Sequence, residues 1–127
     1  LVGALVVVLS ACGTPVPANP ASCSTNAHDP HPSGHVSGTI NAEIRQSCTL
    51  TPTSVRAKAQ LWENRWWGYD QIGTPGDVTR HGVRSVSAFA SAPCRNNSIR
   101  VTGTGHYLWG SEWVNSIEVS NTKDVNC

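Results

Sequence analysis

The stretch Val55-Arg56-Ala57-Lys58-Ala59-Gln60-Leu61-Trp62 alternates apolar and polar residues without a break until its last position. A period of two puts Val55, Ala57, Ala59 and Leu61 on one side of an extended chain and Arg56, Lys58 and Gln60 on the other, the mark of a half-buried β-strand. The same phase runs upstream, with Val36, Gly38, Ile40, Ala42 and Ile44 facing one way and Ser37, Thr39, Asn41 and Glu43 the other. Downstream it returns in Val86, Ala88 and Ala90, in Ile99, Val101, Tyr107 and Trp109, and in Trp113, Ile117 and Val119. No window sustains a period of 3.6, so helix is expected to be nearly absent.

Turn-forming residues punctuate these runs at Thr74-Pro75-Gly76-Asp77, Arg80-His81-Gly82, Arg95-Asn96-Asn97-Ser98 and Gly110-Ser111. Short strands at this spacing predict an all-β domain over residues 35–127, a small disulfide-stabilised antiparallel sandwich or partly open barrel. With a net charge of +1 and charged residues at only 13% of the chain, the composition argues against a nucleic-acid partner and against a polybasic membrane patch.

The N-terminal run Leu1-Val2-Gly3-Ala4-Leu5-Val6-Val7-Val8-Leu9 has the length of a signal-peptide apolar region and falls far short of the ~20 residues that span a bilayer. With no initiator Met and no basic residues ahead of it, a few preceding residues carrying Lys or Arg are expected. It ends in Leu9-Ser10-Ala11-Cys12, which resembles the lipobox of bacterial lipoproteins. That resemblance implies a signal peptide over residues 1–11, a diacylglycerol thioether on Cys12, and a membrane anchor for a mature chain starting there. The alternative is an ordinary small-residue cleavage site with an incidental cysteine. Five cysteines is an odd number, and lipidation of Cys12 accounts for the spare one. Cys23, Cys48, Cys94 and Cys127 then form two disulfides in an oxidising compartment. Three connectivities remain open; predicted strand ends favour Cys48 with Cys94, leaving Cys23 with Cys127. Residues 12–34 contain almost nothing large and apolar, and a flexible, disordered tether is expected there.

The domain resembles small exported actinobacterial proteins that share an Ala-x-Leu segment running into a Trp-rich turn and a late Cys-Arg hairpin. Here these are Ala59-Gln60-Leu61-Trp62, Trp66-Trp67-Gly68 and Pro93-Cys94-Arg95, with a terminal Cys127. The resemblance implies an exported β domain and supplies no catalytic residues.

Candidate sites are few. Trp62-Glu63-Asn64-Arg65-Trp66-Trp67-Gly68-Tyr69 holds three Trp and one Tyr in eight residues. Either Trp66 or Trp67 plugs one end of the β domain, or Trp62, Trp66, Trp67 and Tyr69 form a surface that grips a protein or stacks on a glycan. The histidines of His28-Asp29-Pro30-His31-Pro32-Ser33-Gly34-His35 have spacings compatible with a loose metal chelate, but their proline-rich setting favours a polar tether and no metal. No Gly-x-Ser-x-Gly, His-Glu-x-x-His or phosphate-binding glycine loop is present. His81 and His106 can be paired on paper with Asp70, Asp77 or Glu112, as chance allows in any domain of this size. The expectation is therefore a non-enzymatic envelope lipoprotein on the extracytoplasmic face, without a cofactor, whose aromatics bind an extracytoplasmic protein. A carbohydrate-binding module for cell-wall glycan, and a surface inhibitor or exclusion protein of phage or host origin, are the alternatives.

Overall fold

The computed structural model describes residues 21–127; the expected signal peptide, Cys12 and the first part of the tether lie outside them. The described chain is all-β, with no helix. Its strands are β1 (Cys23–Ala27), β2 (His31–Pro32), β3 (Thr39–Cys48), β4 (Ser54–Arg65), β5 (Gly68–His81), β6 (Ser85–Pro93), β7 (Asn97–Trp109), β8 (Glu112–Asn115) and β9 (Val119–Val125). Antiparallel pairing gives the order β1-β3-β6-β5-β4-β7-β8, with β2 also on β3 and β9 also on β7. The result is one nearly closed, barrel-like sheet. Asn121 Nδ2 donates to Ala27 O at 3.0 Å across the remaining gap between β9 and β1.

The predicted alternation holds in the central strands. Ile40, Ala42 and Ile44 of β3, Val55, Ala57, Ala59 and Leu61 of β4, Val86, Ala88 and Ala90 of β6, and Ile99 and Val101 of β7 are all buried. Six of the fourteen core residues are alanine, so opposing walls approach closely. A Cβ on Gly103 would lie 2.4 Å from Ile44 Cγ1. None of the aromatic residues is in this core; a barrel lined by Ala, Val and Ile is too narrow for an indole, and its walls turn the large rings outward.

Four expectations are corrected. Thr74-Pro75-Gly76-Asp77 is not a hairpin but part of β5, where Gly73, Thr74 and Pro75 bulge opposite Gln60, between the pairs Leu61↔Ile72 and Ala59↔Gly76. Here β5 bends from β4 to meet β6 at Thr74↔Ser91, which makes the barrel's corner. Second, residues 21–34 are not a free tether throughout. Polar β1 pairs with β3 through its backbone and Pro30 is buried, so hydrogen bonding supplies the order that apolar burial does not.

Third, the disulfides are Cys23–Cys48 and Cys94–Cys127. Cys23 sits directly opposite Cys48 in the β1–β3 register. Cys94 follows Pro93, which pairs with Thr39 at the other end of β3, about 30 Å from Cys48 at ~3.3 Å per residue. Unreduced tryptic peptides should therefore link the peptide that ends at Arg45 to 46–56, and 85–95 to 124–127. A mass spectrum linking 46–56 to 85–95 instead would overturn this topology. Fourth, Trp113 and Ile117 face solvent. Residues 116–118 interrupt the edge between β8 and β9, with Ser116 N donating to Gly105 O and Gly105 N donating to Ser116 Oγ, and this break shifts the strand phase.

Candidate functional site

The β4–β5 hairpin carries all four aromatics selected from the sequence, but divides them into two groups. Pairing of Arg65 with Gly68 leaves Trp66-Trp67 as a two-residue turn. Such turns usually need positive φ at their central residues; here that conformation falls on Gly68, at 133°, and no non-glycine residue among those described adopts it. Trp66 is 91% exposed and Trp67 58%. Their rings meet edge to face at 5.2 Å and 88°, and Trp67 Nε1 donates to Asp70 Oδ1 at 2.9 Å. The plug reading fails, because both rings stand outside the barrel.

Trp62 and Tyr69 lie lower on the outer face of the sheet and are half-buried. Trp62 Nε1 donates to Thr102 Oγ1 at 2.8 Å. The Arg100 guanidinium covers the Tyr69 ring at 4.2 Å and donates through Nε to Thr122 Oγ1. These two rings are already engaged within the protein, whereas the turn rings have most of their surface unmatched.

Beneath the turn, the barrel end that a Trp was expected to plug is closed by a polar network. Glu63, on the inward phase of β4 and only 5% exposed, accepts from Arg95 Nη1 at 2.9 Å and Asn97 Nδ2 at 3.1 Å and pairs with Arg65 Nη2 at 2.9 Å. Asn97 also donates to Asn64 O at 2.9 Å. Burial is the largest single influence on the Glu63 carboxyl and pushes its pKa up. The hydrogen bonds from Arg95 and Asn97 and the charges of Arg95 and Arg65 together outweigh it, so the net shift is downward. Asn97 of the Asn96-Asn97-Ser98 turn is thus committed to fixing the hairpin base, and Asn96 Oδ1 accepts from Cys127 N.

The paper pairings of histidine with carboxylate do not form. His81 Nδ1 lies 2.6 Å from Ser54 Oγ, but Ser54 is 3% exposed, which leaves a substrate carbonyl no approach to its hydroxyl. His106 is held by Thr104 Oγ1 at 2.9 Å and Asn115 Oδ1 at 2.6 Å. Among the described residues no three His, Cys, Asp or Glu side chains are grouped to hold a metal, and His31 Nδ1 contacts Asp29 O.

The sequence reading missed a second feature, a polar recess on the outer face of β4, β7 and β8. Arg56, Lys58, His106, Trp113 and Asn115 line about 270 Å³. Lys58 also borders an adjoining recess of about 340 Å³ that reaches Trp62 and the β5 bulge at Pro75. The outward Arg56 and Lys58 were legible in the alternation; their convergence with Trp113 depends on strand pairing across three elements. Comparison with known proteins finds no matching family model, no matching curated protein and no matching solved structure.

Proposed function

We propose that the chain is a non-enzymatic module anchored outside the membrane by lipid on Cys12, and that it engages an extracytoplasmic protein through the Trp66–Trp67 turn. The observation that carries the reading is the 91% exposure of Trp66 on a turn braced from below by Glu63, Arg95 and Asn97. A large apolar ring held in water on a rigid base gains much of its surface on docking and loses little conformational freedom, as interface hot spots do. The edge-to-face packing of the two indoles supports a protein contact, since the pair presents an angular apolar knob that fits a pocket rather than one flat platform spanning both rings. The lipobox-like Leu9-Ser10-Ala11-Cys12 supports the anchor, and two disulfides accord with an oxidising compartment.

A photo-crosslinking amino acid placed at position 66, in cells that export the chain behind a complete signal peptide, tests both parts. The expected result is a discrete protein adduct from position 66 and none from position 89, where exposed Phe89 lies on β6. Cys12→Ala should release the protein to the medium and abolish the adduct. Adducts from neither position, or equally from both, would remove the turn as the contact; membrane retention of Cys12→Ala would remove the lipid anchor.

A further inference from the structure

We infer that the recess on β4, β7 and β8 is a separate binding site for a glycan residue that carries a carboxylate, with the pyranose ring against Trp113 and the carboxylate at Lys58 and Asn115. Three features of the recess converge on that ligand.

The first is its charge. Arg56 is neutralised in place: its Nε and Nη2 donate to the two carboxylate oxygens of Asp77 at 2.8 and 2.6 Å. Lys58, by contrast, makes no hydrogen bond or ion pair among the described residues, and no carboxylate lines the recess that it shares with Trp113. Asp77, bonded to Arg56, is also the residue directly across from Lys58 in the β4–β5 register and feels the charge of both cations; with Glu118 it borders the adjoining recess. Arg56 and Lys58 thus share the single carboxylate of Asp77, which leaves the first recess with a positive balance, and a compact ammonium with three donors and no hydrogen bond of its own suits a carboxylate.

The second is its donor inventory. Asn115 accepts from the His106 ring through Oδ1, and the other ring nitrogen meets Thr104 Oγ1. With both ring nitrogens engaged, His106 is a fixed wall. The Asn115 amide N–H₂ has no acceptor among the described residues and is free to donate to a sugar oxygen or the carboxylate.

The third is Trp113, which is 47% exposed and directly across from Leu108 in the β7–β8 register. An aromatic face beside unspent polar donors matches a pyranose, which has an apolar C–H face and a polar edge. The two recesses, about 270 and 340 Å³, fall just below and just inside the lower limit of the ~300–1,000 Å³ typical of small-molecule sites, and together lie within that range. They meet at Lys58 and extend from Arg56 to Trp62, about 20 Å of strand at ~3.3 Å per residue, which gives an oligosaccharide a track beyond the acidic ring.

The site uses none of the turn residues, so it stands or falls apart from the protein contact proposed at Trp66 and Trp67. The test is an NMR titration of the indole N–H resonances of the full chain with a tetrasaccharide of alternating glucuronate and N-acetylglucosamine. A tetramer of N-acetylglucosamine serves as the neutral control and acetate as the simple-anion control. The expected result is a saturable shift of the Trp113 resonance with the acidic probe, unchanged in a Trp66→Ala/Trp67→Ala variant. Lys58→Gln should weaken it about five- to tenfold, and affinity in Trp113→Ala, read from the Trp62 resonance, should fall about tenfold. The proposal is overturned if the Trp113 resonance does not move with the acidic probe, if the neutral tetramer binds equally well, if acetate alone reproduces the shift, or if Lys58→Gln leaves the affinity unchanged. Lys58 and Trp113 are exposed side chains outside the core, so both variants retain the fold, and the dispersion of their spectra reports it directly.

Discussion

Replacing Gly73 with alanine is expected to remove about 4 kcal/mol of stability, a large loss for a single added carbon. Two independent costs meet at that position. The backbone has φ +68°, where an L side chain is strained. A Cβ there would also lie 2.0 Å from Ser91 O and 2.6 Å from Ala92 Cβ, on the neighbouring strand. Relief would require β5 to move away from β6 at the one pairing that joins them, Thr74↔Ser91, and so would open the corner of the barrel. Gly82→Ala is the matched control, because its φ is +67° but nothing lies within 4 Å of the added carbon. It should cost only about 1 kcal/mol. Urea unfolding of both variants under non-reducing conditions, followed by Trp fluorescence, separates the two costs. Equal losses would show that close approach at the corner contributes nothing.

Glu63→Ala should cost about 2–3 kcal/mol near neutral pH, since it removes a buried carboxylate that organises two guanidinium groups and an amide. The cost stays below the upper end for stripped ion pairs because Arg95 and Arg65 are 31% and 42% exposed and can rehydrate. The pH dependence follows from the sign of the shift. The folded-state carboxyl titrates below its ordinary value of 4.5, so in that window the unfolded chain binds more protons and stability rises with pH. Its contribution is complete above the ordinary value and is lost as pH falls through the folded-state value. Stability curves of the parent protein and Glu63→Ala should therefore converge on acidification. Asp77 is also shifted downward, chiefly by its hydrogen bonds from Arg56, but that pair is substantially solvent-exposed and adds little. A gap between the two curves that stays constant from pH 7 to pH 3 would show that Glu63 acts through packing alone.

The hairpin and the corner differ in how far local sequence could foretell them. The outward position of Trp62 follows from the phase of Val55, Ala57, Ala59 and Leu61, and the structure keeps that phase through Leu61 and Glu63. Exposure of Trp66 and Trp67 was not legible in the same way, because it depends on whether the barrel interior has room for an indole. That room is set jointly by Ala42, Ala57, Ala59, Ala88 and Ala90, on three different strands. Likewise Thr74-Pro75-Gly76-Asp77 has the composition of a turn, and only the partner strands convert it into a bulge. Gly76 lets the chain pass within contact of the Phe89 backbone, where a Cβ would meet Phe89 O at 2.3 Å.

By itself the sequence determined the strand class and, for β3, β4, β6 and the first half of β7, which residues face inward. Side-chain alternation along an extended chain is a local property and needs no partner to be read. The tertiary structure alone decided which cysteines meet, how Trp113 comes to lie beside Lys58 and His106, and that polar β1 belongs to the sheet. Each of these depends on register between segments distant in sequence, and register is set by strand pairing and by the bulges that interrupt it.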